Sequence, residues 1–126
     1  MRPGARPVYL DPVRIRLPLP GWVSILHRVS GVLLFLALPV GVGLMSLSLS
    51  DEDGFMAALE AMRHPLTKLL LVGIAWSLSH HFFAGLRHLA MDVHWGTGLT
   101  QARYSGMAVF AASGLATLAF AVWLFA

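Results

Sequence analysis

Three long apolar stretches, separated by short polar segments, dominate the pattern of this chain. They cover residues 22–49, 66–91 and 104–126. An α-helix rises about 1.5 Å per residue, so about 20 apolar residues are enough to cross a hydrocarbon core of about 30 Å. Each stretch reaches that length. The pattern therefore predicts an all-α integral membrane protein with three transmembrane helices.

The polar segments before and between these stretches differ in composition. Residues 1–20 contain four arginines and five prolines, and proline removes a backbone donor and restricts the residue before it. We therefore expect an extended N-terminal segment rather than a long helix or a cleavable signal peptide. The connection over residues 50–65 is acidic, and we expect one or two helical turns at the membrane interface over residues 57–62.

Composition limits the range of functions. Hydrophobic residues make up 57% of the 126 residues and charged residues 12%, whereas soluble domains carry about 25% charged residues. This balance favours a single membrane domain over residues 1–126, without a separate soluble catalytic domain. The sequence contains no cysteine, which excludes cysteine-ligated iron–sulfur clusters and haem attached covalently to cysteine.

The basic residues predict how the chain is oriented. The net charge of +3 comes from arginines near the N-terminus, so it relates to membrane topology rather than to nucleic acid, which we do not expect as a partner. Arg103 adds a positive charge after the second stretch, whereas residues 50–65 are acidic. Because an excess of Lys and Arg marks the cytoplasmic side, we expect a cytoplasmic N-terminus and a C-terminus on the opposite side.

The second apolar stretch carries three histidines and an arginine within residues 80–88. Ionisable groups at membrane depth are costly and usually face a partner, a cavity or a cofactor. His81 and His88 are seven residues apart and share a helix face, with Gly85 between them. An imidazole beside a small, flat surface suits a haem. We interpret this face as a haem site with His81 as the axial ligand of the iron.

Two alternatives remain open for this stretch. His80 points about 100° away from His81 on a helix, and geometry alone allows either residue to bind the iron; His81 is preferred because it shares its face with Gly85 and His88. A buried histidine is equally compatible with a hydrogen-bonded role in the core. Arg87 lies where it meets haem carboxylates or a soluble partner, or it extends towards the interface.

A second polar cluster lies at the start of the first stretch. Ser24, His27, Arg28 and Gly31 follow each other at helical spacing. A hydroxyl, an imidazole and a fixed positive charge suit a quinone, whose oxygens need donors and whose reduction develops negative charge. Ser24 and Arg28 are therefore the candidates for a quinone site, with His27 nearer the haem. The alternative is a helix cap at Ser24 and a positive-inside anchor at Arg28.

These motifs together carry a family resemblance over nearly the whole chain. The sequence closely resembles the cytochrome b membrane-anchor subunit of succinate dehydrogenase at RPVYLD (6–11), SILHRVSG (24–31), HFFAGLRH (81–88) and Asp92. The second and third motifs form a specific pair. The chain departs from the family at His80, where bacterial members often carry tyrosine.

The resemblance implies partners and a cofactor. It implies a heteromeric helix bundle with a second small anchor subunit, haem b bound between the two, and a flavoprotein and an iron–sulfur subunit docked on the cytoplasmic side of a bacterial inner membrane. Residue by residue, it assigns the haem ligand to His81 and the ubiquinone site to Ser24 and Arg28. It assigns His27 and His88 to positions beside the haem and its propionates.

We therefore expect a membrane-anchor subunit of succinate:ubiquinone oxidoreductase (respiratory complex II), which passes electrons from the iron–sulfur subunit to ubiquinone. We identify no flavin or dicarboxylate site in the sequence, so we do not expect this chain alone to oxidise succinate. The alternatives are an anchor of a menaquinone-dependent fumarate reductase, a structural anchor without haem, and a small transporter or proton channel that uses the histidines as a relay.

Overall fold

A computed structural model describes residues 16–126 of the chain. These residues form four helices, which are α1 (Leu19–Ser48), α2 (Glu52–Arg63), α3 (Pro65–Asp92) and α4 (Leu99–Phe125). The described part of the chain contains no strand, and the predicted all-α fold is confirmed. Most of the N-terminal segment predicted to be extended, namely residues 1–15, lies outside the described residues.

Three of the helices are long and apolar enough to cross a membrane. They are α1 with 30 residues, α3 with 28 and α4 with 27, and each corresponds to one of the predicted stretches. Large apolar side chains cover their outer surfaces, as at Phe35, which is 72% exposed, and Leu38, which is 65% exposed. Side chains of this kind are stable on the outside of a helix bundle when lipid rather than water surrounds it.

Two helix boundaries differ from the sequence predictions. Helix α4 begins at Leu99, five residues before the predicted stretch, because Gly98 has an extended backbone and a polar first turn then precedes the apolar run. Helix α2 has 12 residues instead of one or two turns. Asp51 caps it by accepting a hydrogen bond from the Gly54 amide at 2.6 Å, and its first turn is acidic, which suits the positive end of the helix dipole.

Helix α3 packs against both α1 and α4, and the interior between them is lined by small residues. The apolar core consists of Val23, Ala84 and Val109. Ser77 and Ser113 are also buried, and their hydroxyls donate to carbonyls of their own helices, at 2.9 Å to Gly73 and 2.8 Å to Val109. Small side chains let membrane helices approach closely, and the local hydrogen bonds remove the cost of burying the hydroxyls.

Lys68 links the ends of two helices on the side of the acidic connection. This lysine lies near the start of the second apolar stretch. Its ammonium donates to the Leu124 carbonyl at 3.2 Å and lies 5.3 Å from the centre of the Phe125 ring. Lys68 therefore satisfies a carbonyl at the last turn of α4, which has no partner inside its own helix.

Candidate functional site

Three imidazoles meet where α1 faces α3. The rings of His27 and His81 stack with their centroids 4.1 Å apart and 11° between their planes. The His88 ring is tilted against His27 at 4.9 Å, and its Nδ1 is buried without a hydrogen-bond partner among the described residues. The structure thus brings together the three histidines that the sequence analysis assigned to the haem region.

Two glycines lie against these rings, and Gly31 is the one whose missing side chain leaves the ring space it needs. A Cβ atom at Gly31 on α1 would lie 3.0 Å from Cε1 of His81, and a Cβ atom at Gly85 on α3 would lie 3.5 Å from Nε2 of His27. The sequence analysis assigned Gly85 to a flat surface beside a cofactor. In the structure the His27 ring lies over it. The distance at Gly31 is the shorter of the two. Gly31 is on α1 and the ring it contacts, His81, is on α3, so this requirement for glycine comes from packing between helices.

Hydrogen bonds to acceptors on α1 determine the orientation of the His81 ring. Its Nδ1 lies 3.0 Å from the His27 carbonyl oxygen and 3.3 Å from the Ser30 hydroxyl. A carbonyl oxygen accepts hydrogen bonds and cannot donate them, so Nδ1 carries the ring proton. The lone pair of the neutral ring is therefore on Nε2. The sequence analysis missed Ser30 as a partner of His81, because no local pattern relates residues 51 positions apart.

His80 lies in a different environment from His81. It is fully buried, with Trp76 stacked at 5.3 Å and the Phe110 ring of α4 at 5.4 Å. Within residues 16–126, neither ring nitrogen of His80 has a hydrogen-bond partner. The 100° step along the helix thus directs His80 towards α4 and His81 towards α1.

Arg87 also faces α4. Its Nε donates to the Ser105 hydroxyl at 2.9 Å and its guanidinium donates to the Ala102 carbonyl at 3.3 Å, and the residue is 8% exposed. Of the roles considered from the sequence, which are contact with haem carboxylates, contact with a soluble partner and extension to the interface, the last does not match this buried position. Arg87 holds the first turns of α4 against α3.

Ser24 and Arg28 lie one turn apart near the start of α1. Ser24 is half-buried, whereas Arg28 is exposed on the outside of the described helices. His27 lies between them in sequence, and its ring faces α3, where it stacks on His81. The two candidate quinone residues are therefore adjacent to the cluster along α1, and the Arg28 side chain is accessible from outside the bundle.

An apolar groove between α1 and α3 leads to His81. It has a volume of about 720 Å³, and its lining includes Gly31, Leu34, Phe35, Leu78 and His81. A second groove, of about 640 Å³, runs between the same helices and is lined by residues that include Leu33, Trp76 and Ser77. Volumes of 300–1,000 Å³ are typical of ligand pockets.

The fold and the histidine cluster define a small multi-pass membrane protein with a polar site between its helices. The chain matches the family described as "Succinate dehydrogenase/Fumarate reductase transmembrane subunit" over residues 2–120. It therefore belongs to this family, and the resemblance inferred from its motifs is confirmed.

Several relatives are similar along most of their length, and each is a succinate dehydrogenase cytochrome b556 subunit. The chain is 34% identical to that of Coxiella burnetii over 120 residues, which cover 94% of this chain and 96% of the relative. It is 32% identical to that of Paracoccus denitrificans over 110 residues, with 87% and 85% covered. For Rickettsia typhi the identity is 31% over 96 residues, with 76% and 74% covered.

Proposed function

We propose that this chain anchors a succinate:ubiquinone oxidoreductase in a bacterial inner membrane and holds one side of a haem b, with His81 as an axial ligand of the iron. The observation that carries the proposal is the 3.0 Å contact between Nδ1 of His81 and the His27 carbonyl. It leaves the Nε2 lone pair of a neutral imidazole free, which is what a haem ligand requires. The names of the relatives, which include cytochrome b556, support the same cofactor.

The surroundings of His81 fit a flat apolar macrocycle. The groove that reaches His81 is lined mainly by aliphatic and aromatic side chains, and Gly31 brings no side chain to its wall. Bound haem supplies a one-electron carrier within the membrane. His27 and His88 lie within 5 Å of each other beside His81 and are suited to donate hydrogen bonds to the haem carboxylates. The orphaned Nδ1 of His88 is consistent with a partner from outside the chain.

His80 is the weaker candidate for the ligand. Trp76 and Phe110 lie against its ring, and the residue is 0% exposed, so a macrocycle would have to displace the α3–α4 packing. Its environment supports a role in the core.

Ser24 and Arg28 are proposed to bind the quinone. Both lie near the start of α1 beside His27, and Arg28 presents its charge outwards. A guanidinium would stabilise the negative charge that develops on a quinone oxygen during reduction, and the Ser24 hydroxyl would donate a hydrogen bond. His27 connects this pair to the histidine cluster.

The site is incomplete within this chain, which supports the proposed partners. The described residues offer one histidine with an oriented, free Nε2, so a six-coordinate haem would need its second axial ligand from elsewhere, and a second small anchor subunit against the α1–α3 groove would supply it. An iron–sulfur subunit and a flavoprotein would then dock at the basic, cytoplasmic end, which carries Arg28 and Arg103. The relatives' names favour succinate oxidation over fumarate reduction.

The haem assignment is tested by reduced-minus-oxidised visible spectra of the detergent-purified complex. We expect a b-type signal in the wild type, its loss or alteration in His81→Leu, and its retention in His80→Leu, which is a matched control one residue away. A signal lost in His80→Leu and retained in His81→Leu would reassign the ligand. A wild-type complex without any signal would refute the haem site.

The quinone assignment is tested by separating two activities of the complex. Arg28→Ala is expected to reduce succinate-dependent quinone reduction while leaving succinate oxidation by a soluble artificial acceptor intact. Val29→Ala changes the neighbouring exposed residue of α1 without removing a charge and serves as the control, with both activities retained. If Arg28→Ala loses both activities together, its role is in assembly instead.

A further inference from the structure

Ser30 connects the backbone of α1 to the side chain of His81. The residue is fully buried, and its hydroxyl donates to the His27 carbonyl at 2.9 Å. The same hydroxyl oxygen lies 3.3 Å from Nδ1 of His81. Ser30, His81 and the His27 carbonyl therefore form one closed group of polar atoms inside the bundle.

The protons in this group can be assigned from donor and acceptor chemistry. The single hydroxyl hydrogen of Ser30 points to the His27 carbonyl, so a lone pair of its oxygen faces His81. The carbonyl requires the His81 proton to be on Nδ1. That N–H group is consequently shared between two acceptors, which are the His27 carbonyl oxygen and the Ser30 hydroxyl oxygen.

We propose that Ser30 is a positioning residue that fixes the Nδ1–H tautomer of His81 and adjusts the electron-donating strength of its Nε2. The proposal rests on the haem site proposed above. When the nitrogen that does not bind the metal donates a hydrogen bond, its acceptor orients the histidine ring and raises the basicity of the metal-binding nitrogen. A more basic axial ligand stabilises the ferric state of a haem and lowers its reduction potential.

Two effects of the Ser30 hydroxyl oppose each other, and their sizes decide the expected sign. As an acceptor, the hydroxyl oxygen contributes a complete, though long, hydrogen bond to Nδ1–H. As a donor to the His27 carbonyl, it weakens that carbonyl as an acceptor by polarisation, which changes a neighbouring bond by roughly 10–30%. Loss of a direct bond outweighs such a fractional change. Removal of the hydroxyl should therefore raise the potential.

The test is a potentiometric titration of the haem in the purified complex, followed in the visible spectrum. We expect an upward shift of the midpoint potential in Ser30→Ala and a return towards the wild-type value in Ser30→Thr, which keeps the hydroxyl. Ser113→Ala is the matched control. Ser113 is equally buried and donates to carbonyls of its own helix α4, and its removal should leave the potential unchanged.

The outcomes separate this proposal from the haem assignment. If the haem potential is unchanged or lowered in Ser30→Ala, the role of Ser30 is overturned while the haem site stands. An upward shift of equal size in Ser113→Ala overturns the role of Ser30 in the same way. A wild-type complex without haem overturns the proposed function itself. Should Ser30→Ala fail to assemble, Ser30→Cys, which has similar shape and a weaker acceptor, carries the same expectation and the same refutation.

Discussion

The imidazole of His81 lies flat against the imidazole of His27 and is also hydrogen-bonded to the His27 backbone, with Nδ1 3.0 Å from the carbonyl oxygen. One residue of α1 thus fixes both the plane and the proton of a histidine on α3. Rings held in this way lose little entropy when a ligand binds, which is the advantage of a preorganised site.

Gly31 is predicted to be essential for this arrangement. In Gly31→Ala the new Cβ atom would lie 3.0 Å from Cε1 of His81, so the ring or the helix has to move. Overpacking of this kind costs about 1–3 kcal/mol, which corresponds to roughly 5- to 160-fold weaker haem binding. Haem per purified complex, measured by absorbance after extraction, should fall.

The matched control for Gly31→Ala is on the same helix. A Cβ atom at Gly43 meets no atom of the described chain within 4 Å, and Gly43→Ala should retain the full haem content. Equal haem loss in both variants would show that alanine disturbs α1 generally and that contact with His81 is not the cause.

The hydrophobic pattern was sufficient to predict the three long helices, because a 20-residue apolar run has few alternatives in a membrane. It also placed His81, Gly85 and His88 on one face, since that relationship is a property of a single helix. The pattern did not predict which residues of the other helices contact them. Ser30 and Arg87 owe their roles to the rotation of α1 and α4 against α3, which the periodicity of one segment does not determine.

The placement of Arg87 leads to the second prediction. Arg87→Leu removes the hydrogen bonds to Ser105 and to the Ala102 carbonyl and should lower the stability of the complex by about 1–3 kcal/mol. The thermal midpoint in detergent measures this loss. The haem spectrum should not change, because the guanidinium faces α4.

Gln101→Leu is the control for that measurement, because Gln101 is an exposed polar residue in the first turn of α4 and its loss should leave the thermal midpoint unchanged. The prediction for Arg87 is wrong if its loss alters the haem spectrum and leaves stability intact. In that case Arg87 would contact the cofactor, as one interpretation of the sequence has it.

Gly54 provides a third prediction, in the first turn of α2. A Cβ atom there would collide with the Leu47 carbonyl oxygen and the Ser50 hydroxyl. Alanine normally stabilises a helix by about 1 kcal/mol relative to glycine. Here we expect the opposite, a loss of about 1–3 kcal/mol, seen as a lower thermal midpoint. Gly114→Ala on α4, where a Cβ atom meets no described atom within 4 Å, should not lower it.

His80 gives the last prediction, because its buried nitrogens lack partners in the part of the chain that the structure describes. Burying an unpaired polar group costs about 1–3 kcal/mol. His80→Phe removes both nitrogens and keeps an aromatic ring beside Trp76 and Phe110, so the thermal midpoint of the complex should rise. The b-type spectrum should be retained.

The paired variant is His88→Phe, which also removes a buried, unpartnered nitrogen but lies beside His27 in the histidine cluster. It should alter the haem spectrum, and this contrast separates a core histidine from a site histidine. A lower midpoint in His80→Phe would mean that the His80 nitrogens are hydrogen-bonded in the assembled complex. Such a bond would come from internal water, from a partner subunit or from a small shift of the ring towards the Val23 backbone of α1.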